Sequence, residues 1–198
     1  RTVIGNTTPK FQGGFGLSGQ WKNFDFTANF NYMVDFDVYN ATNYMLSSSI
    51  SNTNNFYNVL ADFTQKNRWT YVRADGECLY KNTNIDGSVN EYITMNAGKS
   101  LWNPADVEDK VTHSYFVEDG SFLRLQDVTI GYTLPSNLTK KWGMSKVRFY
   151  ASASNLFILT GYSGYDPEVD VQSGLTPSMD YNRYPRSRSF VFGTNITF

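Results

Sequence analysis

His113 is the only histidine among 198 residues. With Ser114 and Asp109 nearby, it invites comparison with a Ser-His-Asp relay, in which an imidazole takes the serine proton. That chemistry wants a serine on a sharp, glycine-flanked turn, and no serine here has one. His113 therefore reads as a solvated loop residue, and the chain as no enzyme. Asp166, Glu168 and Asp170 alternate, and alternating carboxylates can ligate calcium. The rest of a calcium loop is missing, so the run reads as a turn that fixes a loop. Cys78 stands alone, which excludes an internal disulfide. No metal-spaced His or Asp set surrounds it, so no cofactor is expected.

Binding chemistry has better candidates. Tyr162, Tyr165, Tyr181 and Tyr184 crowd one stretch, while Trp69, Tyr71, Tyr92 and Trp102 dot another. Aromatics on external loops can stack on sugars or anchor a partner protein, and they also form the interfacial girdle of a membrane barrel. The formal net charge is -1, and charged residues make up 18% of the chain. With no basic stripe, nucleic acid is not an expected partner. The Asn-X-Thr triplets at Asn6, Asn40, Asn137 and Asn195 read as turn and strand chemistry.

These residues need elements to hold them, and the pattern is that of strands. Aromatics reach 17%, a composition that favours pleated surfaces. Side chains of a strand alternate between two faces. The closing stretch Arg188–Phe198 puts Phe190, Phe192, Thr194, Ile196 and Phe198 on one face and Ser189, Val191, Gly193, Asn195 and Thr197 on the other. Residues 11–21 alternate in the same way, and so do 24–39, where Phe24, Phe26, Ala28, Phe30, Tyr32, Val34, Phe36 and Val38 share a face. Residues 121–134 change phase near Gln126-Asp127, which predicts a β-bulge. In 147–160, Asn155 interrupts an apolar face that runs from Val147 to Leu159. Five strands are thus expected, and the run 24–39 exceeds the roughly 9–11 residues a tilted strand needs to cross a hydrocarbon layer. Mean hydropathy is -0.43, which does not exclude a barrel, because half of each barrel strand is polar.

Between the strands, Lys22-Asn23 and Pro135–Lys146 are short turns. Asn40–Gly120 and Gly161–Pro185 are long loops, the first with a helix expected near Asn55–Gln65. Short turns at one end and long loops at the other are the habit of outer-membrane barrels, with the loops outside. Strand parity turns Arg124 and Arg148 to the lumen, where carboxylates of a plug would pair with them. A charge on the lipid face would cost about 2–4 kcal/mol at mid-depth.

Specific runs carry a resemblance. They include Gly13-Gly14-Phe15, Lys22-Asn23-Phe24-Asp25 and Asp37-Val38-Tyr39-Asn40-Ala41-Thr42. Stronger are Glu118-Asp119-Gly120-Ser121-Phe122-Leu123-Arg124-Leu125 and Asp127-Val128-Thr129-Ile130-Gly131-Tyr132-Thr133-Leu134-Pro135. Ser154-Asn155-Leu156-Phe157, Gly164-Tyr165-Asp166-Pro167-Glu168-Val169 and Asn195-Ile196-Thr197-Phe198 complete the series. Together they resemble SusC/RagA-like TonB-dependent outer-membrane transporters of Bacteroidetes over the whole chain except Val72–Val117.

The resemblance implies an all-β antiparallel transmembrane barrel segment, the last five strands of a 22-stranded barrel (about 11–21, 24–39, 121–134, 147–160 and 188–198), with extracellular loops at about 40–120 and 161–187. It implies an importer of oligosaccharides, peptides or similar nutrients, energised by the TonB complex through an amino-terminal part not in this chain. Implied partners are outer-membrane lipid, the remaining barrel and plug, a SusD-like surface lipoprotein, and a dimer of transporter–lipoprotein pairs. Phe198 would be the signal read by the barrel-assembly machinery. The rival reading is an independent small β-barrel or β-sandwich adhesin, with extra strands in Trp69–Arg73 and Glu91–Met95.

Overall fold

Lys22 and Asn23 reverse the chain in two residues, and that reversal fixes the first register. The computed structural model describes residues 2–47, 59–63, 67–68, 71–72, 78–79, 93–94, 101–102, 113–169 and 177–198. In chain order the elements are β1 (Phe11–Trp21), β2 (Phe24–Val34), β3 (Asp37–Asn40), α1 (Ala41–Leu46), β4 (Tyr71–Val72), β5 (Cys78–Leu79) and β6 (Ile93–Thr94). Then come β7 (Val117–Asp119), β8 (Phe122–Thr133), α2 (Ser136–Thr139), β9 (Lys146–Thr160), β10 (Met179–Asp180) and β11 (Ser189–Thr197). Contacts divide the chain into two compact units, Arg1–Tyr39 with Val117–Phe198, and Asn40–Phe116.

The first unit is built on a five-stranded sheet of order β1-β2-β8-β9-β11, antiparallel throughout. Its register aligns one apolar face across the strands. Phe15 faces Phe30, Phe30 faces Leu125, and Leu125 faces Phe157. A second row runs Phe26, Ile130, Ala151, Phe192. The rings of Phe15 and Phe30 stack with centroids 4.8 Å apart. Among the described residues nothing in the first unit covers this face: Phe26, Ile130, Phe149, Phe190 and Phe192 are all exposed. An apolar surface spanning five strands exceeds what soluble monomers tolerate, so it demands lipid or another apolar partner. The opposite face carries Thr27, Asn29, Thr129, Ser152 and Asn195.

The expected bulge is present. Pairing of β8 with both neighbours shifts between Leu125 and Asp127, leaving Gln126 outside the register. Asn155 and Leu156 of β9 oppose it, and Asn155 takes a left-handed φ of 53°. Asparagine tolerates that region better than most residues. The bulge keeps Val128 and Leu125 on the same face despite three intervening bonds.

The strand expected over 24–39 is instead two. β2 stops at Val34, and Asp35 adopts φ 63°. Its amide donates to Ser121 Oγ at 2.9 Å, and its carboxylate pairs with Lys10. The turn redirects the chain into a second sheet of order β10-β3-β7. Phe36 and Val38 thus leave the outer apolar face and enter a buried cluster with Phe122, Tyr162 and Val169. Gly120 closes against this cluster. A Cβ there would stand 2.6 Å from both Phe36 Cε2 and Val38 Cγ2. The turn at Pro135–Lys146 also has internal structure: α2, a 3₁₀ turn over Lys140–Trp142, and Gly143 at φ 70° as its C-terminal stop.

The second unit shows structure where the sequence has no period. Asn40 caps α1 by accepting from the Asn43 amide at 2.9 Å. Of the helix expected near Asn55–Gln65, the described residues 59–63 hold a single 3₁₀ turn, Ala61–Phe63; the rest lies outside the described residues. β4 pairs with β5 and β6 in a small sheet. Trp69–Arg73 and Glu91–Met95 thus do contain strands, but these join each other and not the large sheet.

Candidate functional site

The polar face of the sheet is tied by side chains that reach across strands. Arg148 Nε donates to Asp25 Oδ1 at 2.9 Å, and its Nη2 donates to Asp25 Oδ2. β8 lies between them, and its Gly131 leaves the gap. A Cβ on Gly131 would sit 2.5 Å from Asp25 Oδ1 and closer still to the guanidinium. Farther along the same face, Thr129 Oγ1 and Ser152 Oγ share a hydrogen bond of 2.8 Å, and Ser154 Oγ donates to Asp127 Oδ1 at 2.7 Å.

At the end with the long connections, Arg124 is buried at 4% exposure. Its Nη2 donates to Asp166 Oδ1 at 2.6 Å. Its Nε lies 3.3 Å from Glu168 Oε2, a charge contact without hydrogen-bond geometry. Glu168 Oε1 accepts from Arg186 Nη2 at 2.7 Å, and the Glu168 amide donates to Asp166 Oδ1 at 3.0 Å. Two arginines and two carboxylates thus fasten the segment after β9 to the sheet. Tyr162 OH donates to Asp180 Oδ2 at 2.7 Å. Burial first, then the Asp180 carboxylate, pushes the Tyr162 hydroxyl well above the ordinary tyrosine range. Glu118 accepts from both the amide and the hydroxyl of Ser163 at 2.9 Å.

The two arginines on the polar face find partners within this chain: Asp25 for Arg148, and Asp166 with Glu168 for Arg124. These pairs form without a plug carboxylate. The tyrosines divide. Tyr162 is buried, its ring in the cluster and its hydroxyl committed to Asp180, so it is unsuited to contact a ligand. Tyr165, Tyr181 and Tyr184 are exposed, Tyr184 at 86%. Trp102 packs in the second unit against Phe63 and Tyr115, each at 5.2 Å between centroids, and its Nε1 donates to Ser47 O at 3.3 Å. Trp69 and Asp170 lie outside the described residues. Phe198 is exposed at the short-turn end. Among the described residues, no three His, Cys, Asp or Glu side chains could together hold a metal.

Asp25, Glu118, Asp180 and Arg186 were not singled out from sequence. Asp25 was findable, since it shares the polar parity of Arg148 once the strand register is known. The others pair across loops whose path no local pattern gives. The arrangement ties strands together and fastens a loop to the sheet.

No family model matches the chain. A TonB-dependent receptor of Formosa agariphila is 32% identical over 204 residues, covering 100% of this chain and 17% of the relative. The TonB-dependent receptor SusC of Bacteroides thetaiotaomicron is 41% identical over 86 residues, 42% of this chain and 8% of SusC. Among solved structures, the RagAB peptide importer in its open-open state matches with a TM-score of 0.67 and 23% identity, covering 99% of this chain and 18% of that one. The chain therefore spans under a fifth of the length of these relatives.

Proposed function

We propose that the chain belongs to the SusC/RagA-like TonB-dependent receptors of the outer membrane and forms barrel wall and outer loops of a nutrient importer. The observation that carries this is the sheet itself. Among the described residues one face is uncovered and aromatic, the other is cross-linked by polar side chains, and the outer strands β1 and β11 each pair on one side only. A bare strand edge cannot persist in lipid, where no water satisfies its N–H and C=O groups. The remaining strands of a larger barrel, 22 by the family pattern, would close it. A self-closed barrel would need β1 and β11 to meet, and among the described residues the strand order does not pair them.

In this reading the short turns face the periplasm, and the long connections, about 40–120 and 161–187, face outward. Substrate is an oligosaccharide, a peptide or a similar nutrient. TonB supplies energy through the amino-terminal plug, and a SusD-like lipoprotein caps the outer mouth, with transporter–lipoprotein pairs dimerising. The chain contributes no catalysis. Tyr165, Tyr181 and Tyr184 are the side chains placed to touch substrate or partner. Uptake of fluorescent oligosaccharide and peptide pools by cells carrying the full-length receptor tests this. Receptor-dependent uptake should vanish when the proton gradient is collapsed. Uptake that survives collapse would point to a passive pore and contradict the proposal.

A further inference from the structure

The short-turn end of the sheet carries a feature that neither the wall nor the import activity requires. Lys22 sits at the tip of the β1–β2 hairpin, with its ammonium 4.9 Å from the centroid of the Trp21 ring. Trp21 belongs to the apolar face and is exposed, so this cation is drawn to the lipid side of the rim. Lys22 also holds φ 54°, a conformation that asparagine or glycine adopts more readily. Turn geometry therefore does not select lysine there. In the neighbouring turn, Leu138 and Trp142 are both exposed. Lys140 and Lys141 lie between them, in the 3₁₀ turn that ends at Trp142.

All three lysines are solvent-exposed, and among the described residues none forms an ion pair. Asp25, in β2, is on the opposite face and is already held by Arg148. The other end of the sheet is different in kind, with Asp35, Asp37, Glu118 and Asp119 in its connections. Lysines set around half-exposed tryptophans match a head-group layer: the rings lie at the interface and the ammonium groups reach phosphate.

We infer that this rim binds anionic phospholipid head groups of the periplasmic leaflet. The inference rests on the membrane orientation given above. Each lysine near a charged bilayer surface contributes about fivefold in affinity, so three supply a preference that a neutral lipid cannot match. The full-length receptor, extracted in mild detergent, is titrated with phosphatidylglycerol and with phosphatidylethanolamine, and bound lipid is counted by native mass spectrometry. The wild type should prefer phosphatidylglycerol at least about tenfold. The triple variant K22Q/K140Q/K141Q should lose that preference, and K22R/K140R/K141R should keep it. Equal binding of the two lipids, or a preference that survives in the glutamine variant, overturns the inference. So would a periplasmic protein retained by the wild type in place of lipid. Flotation of the receptor with outer membranes is scored in parallel. A receptor that fails to float overturns the membrane reading itself, whereas one that floats without lipid preference overturns only this proposal.

Discussion

Phe26 and Phe36 stand ten residues apart on what looks in sequence like one alternating run, yet they end in opposite surroundings. Phe26 is 41% exposed on the open face of the sheet, while Phe36 is 5% exposed in the cluster at the loop end. The difference is one of solvent. Along β2 the alternation sorts side chains between an uncovered apolar face and a polar face, so the large hydrophobes point out of the sheet on one side. Beyond Asp35 the chain has left that environment, and the same residue types pack inward around Val38 as in a water-soluble domain. The polar contacts follow suit. Arg148 and Asp25 lie partly open on the polar face, whereas Arg124 and Asp166 are sealed beneath a loop.

The strongest way to sharpen that contrast is to remove Arg124. Arg124→Leu strands the buried Asp166 carboxylate, a loss of about 3–5 kcal/mol. Limited proteolysis of the full-length receptor should then cut within 161–187, with the barrel still heat-stable on gels. A loop that stays resistant would deny the fastening role. On the sheet, Ile130→Arg should cost about 2–4 kcal/mol of barrel stability in lipid, and Thr129→Arg, one residue on, should cost far less. Equal penalties in urea unfolding would erase the distinction between faces. Gly131→Ala should cost about 1–3 kcal/mol, because the new methyl displaces the Arg148–Asp25 pair. Pairing it with Arg148→Ala, which clears the space, should recover part of that loss in a double-mutant cycle.

The smallest effect concerns Tyr162. Tyr162→Phe removes its bond to a buried carboxylate, and about 1–3 kcal/mol of loop attachment should go with it. The hydroxyl resists ionisation when seated but ionises near pH 10 when the loop is detached. Attachment is therefore full below about pH 10 and should weaken as the pH climbs above that value, since only the detached state releases the proton. Protease resistance of 161–187 should fall above pH 10 in wild type and show no such added fall in Tyr162→Phe.

What the sequence made legible follows the same division. Period-two alternation marks all five long strands, the second only as far as Val34, because an apolar and a polar face repeat residue by residue along each. Even the irregularity at Gln126 showed as a change of phase. The turn at Asp35 did not show, since Phe36 and Val38 keep the parity of Phe26 and only a backbone φ of 63° redirects them. The Arg124–Asp166 pair spans 42 residues, and nothing local announces it. Tyr162 looked like its exposed neighbours Tyr165 and Tyr184 for the same reason: burial there is decided by how the loop folds back.

The central claim is that the phenylalanine face of the sheet meets lipid and the other face meets water. Nitroxide labels on Phe26→Cys, Thr27→Cys, Val191→Cys and Phe192→Cys, placed singly in the full-length receptor in outer-membrane vesicles, test it most directly. Relaxation by oxygen should dominate at positions 26 and 192, and relaxation by a water-soluble nickel chelate at 27 and 191. Nickel accessibility at 26 and 192 equal to that at 27 and 191, or protection of all four from both reagents, would contradict it.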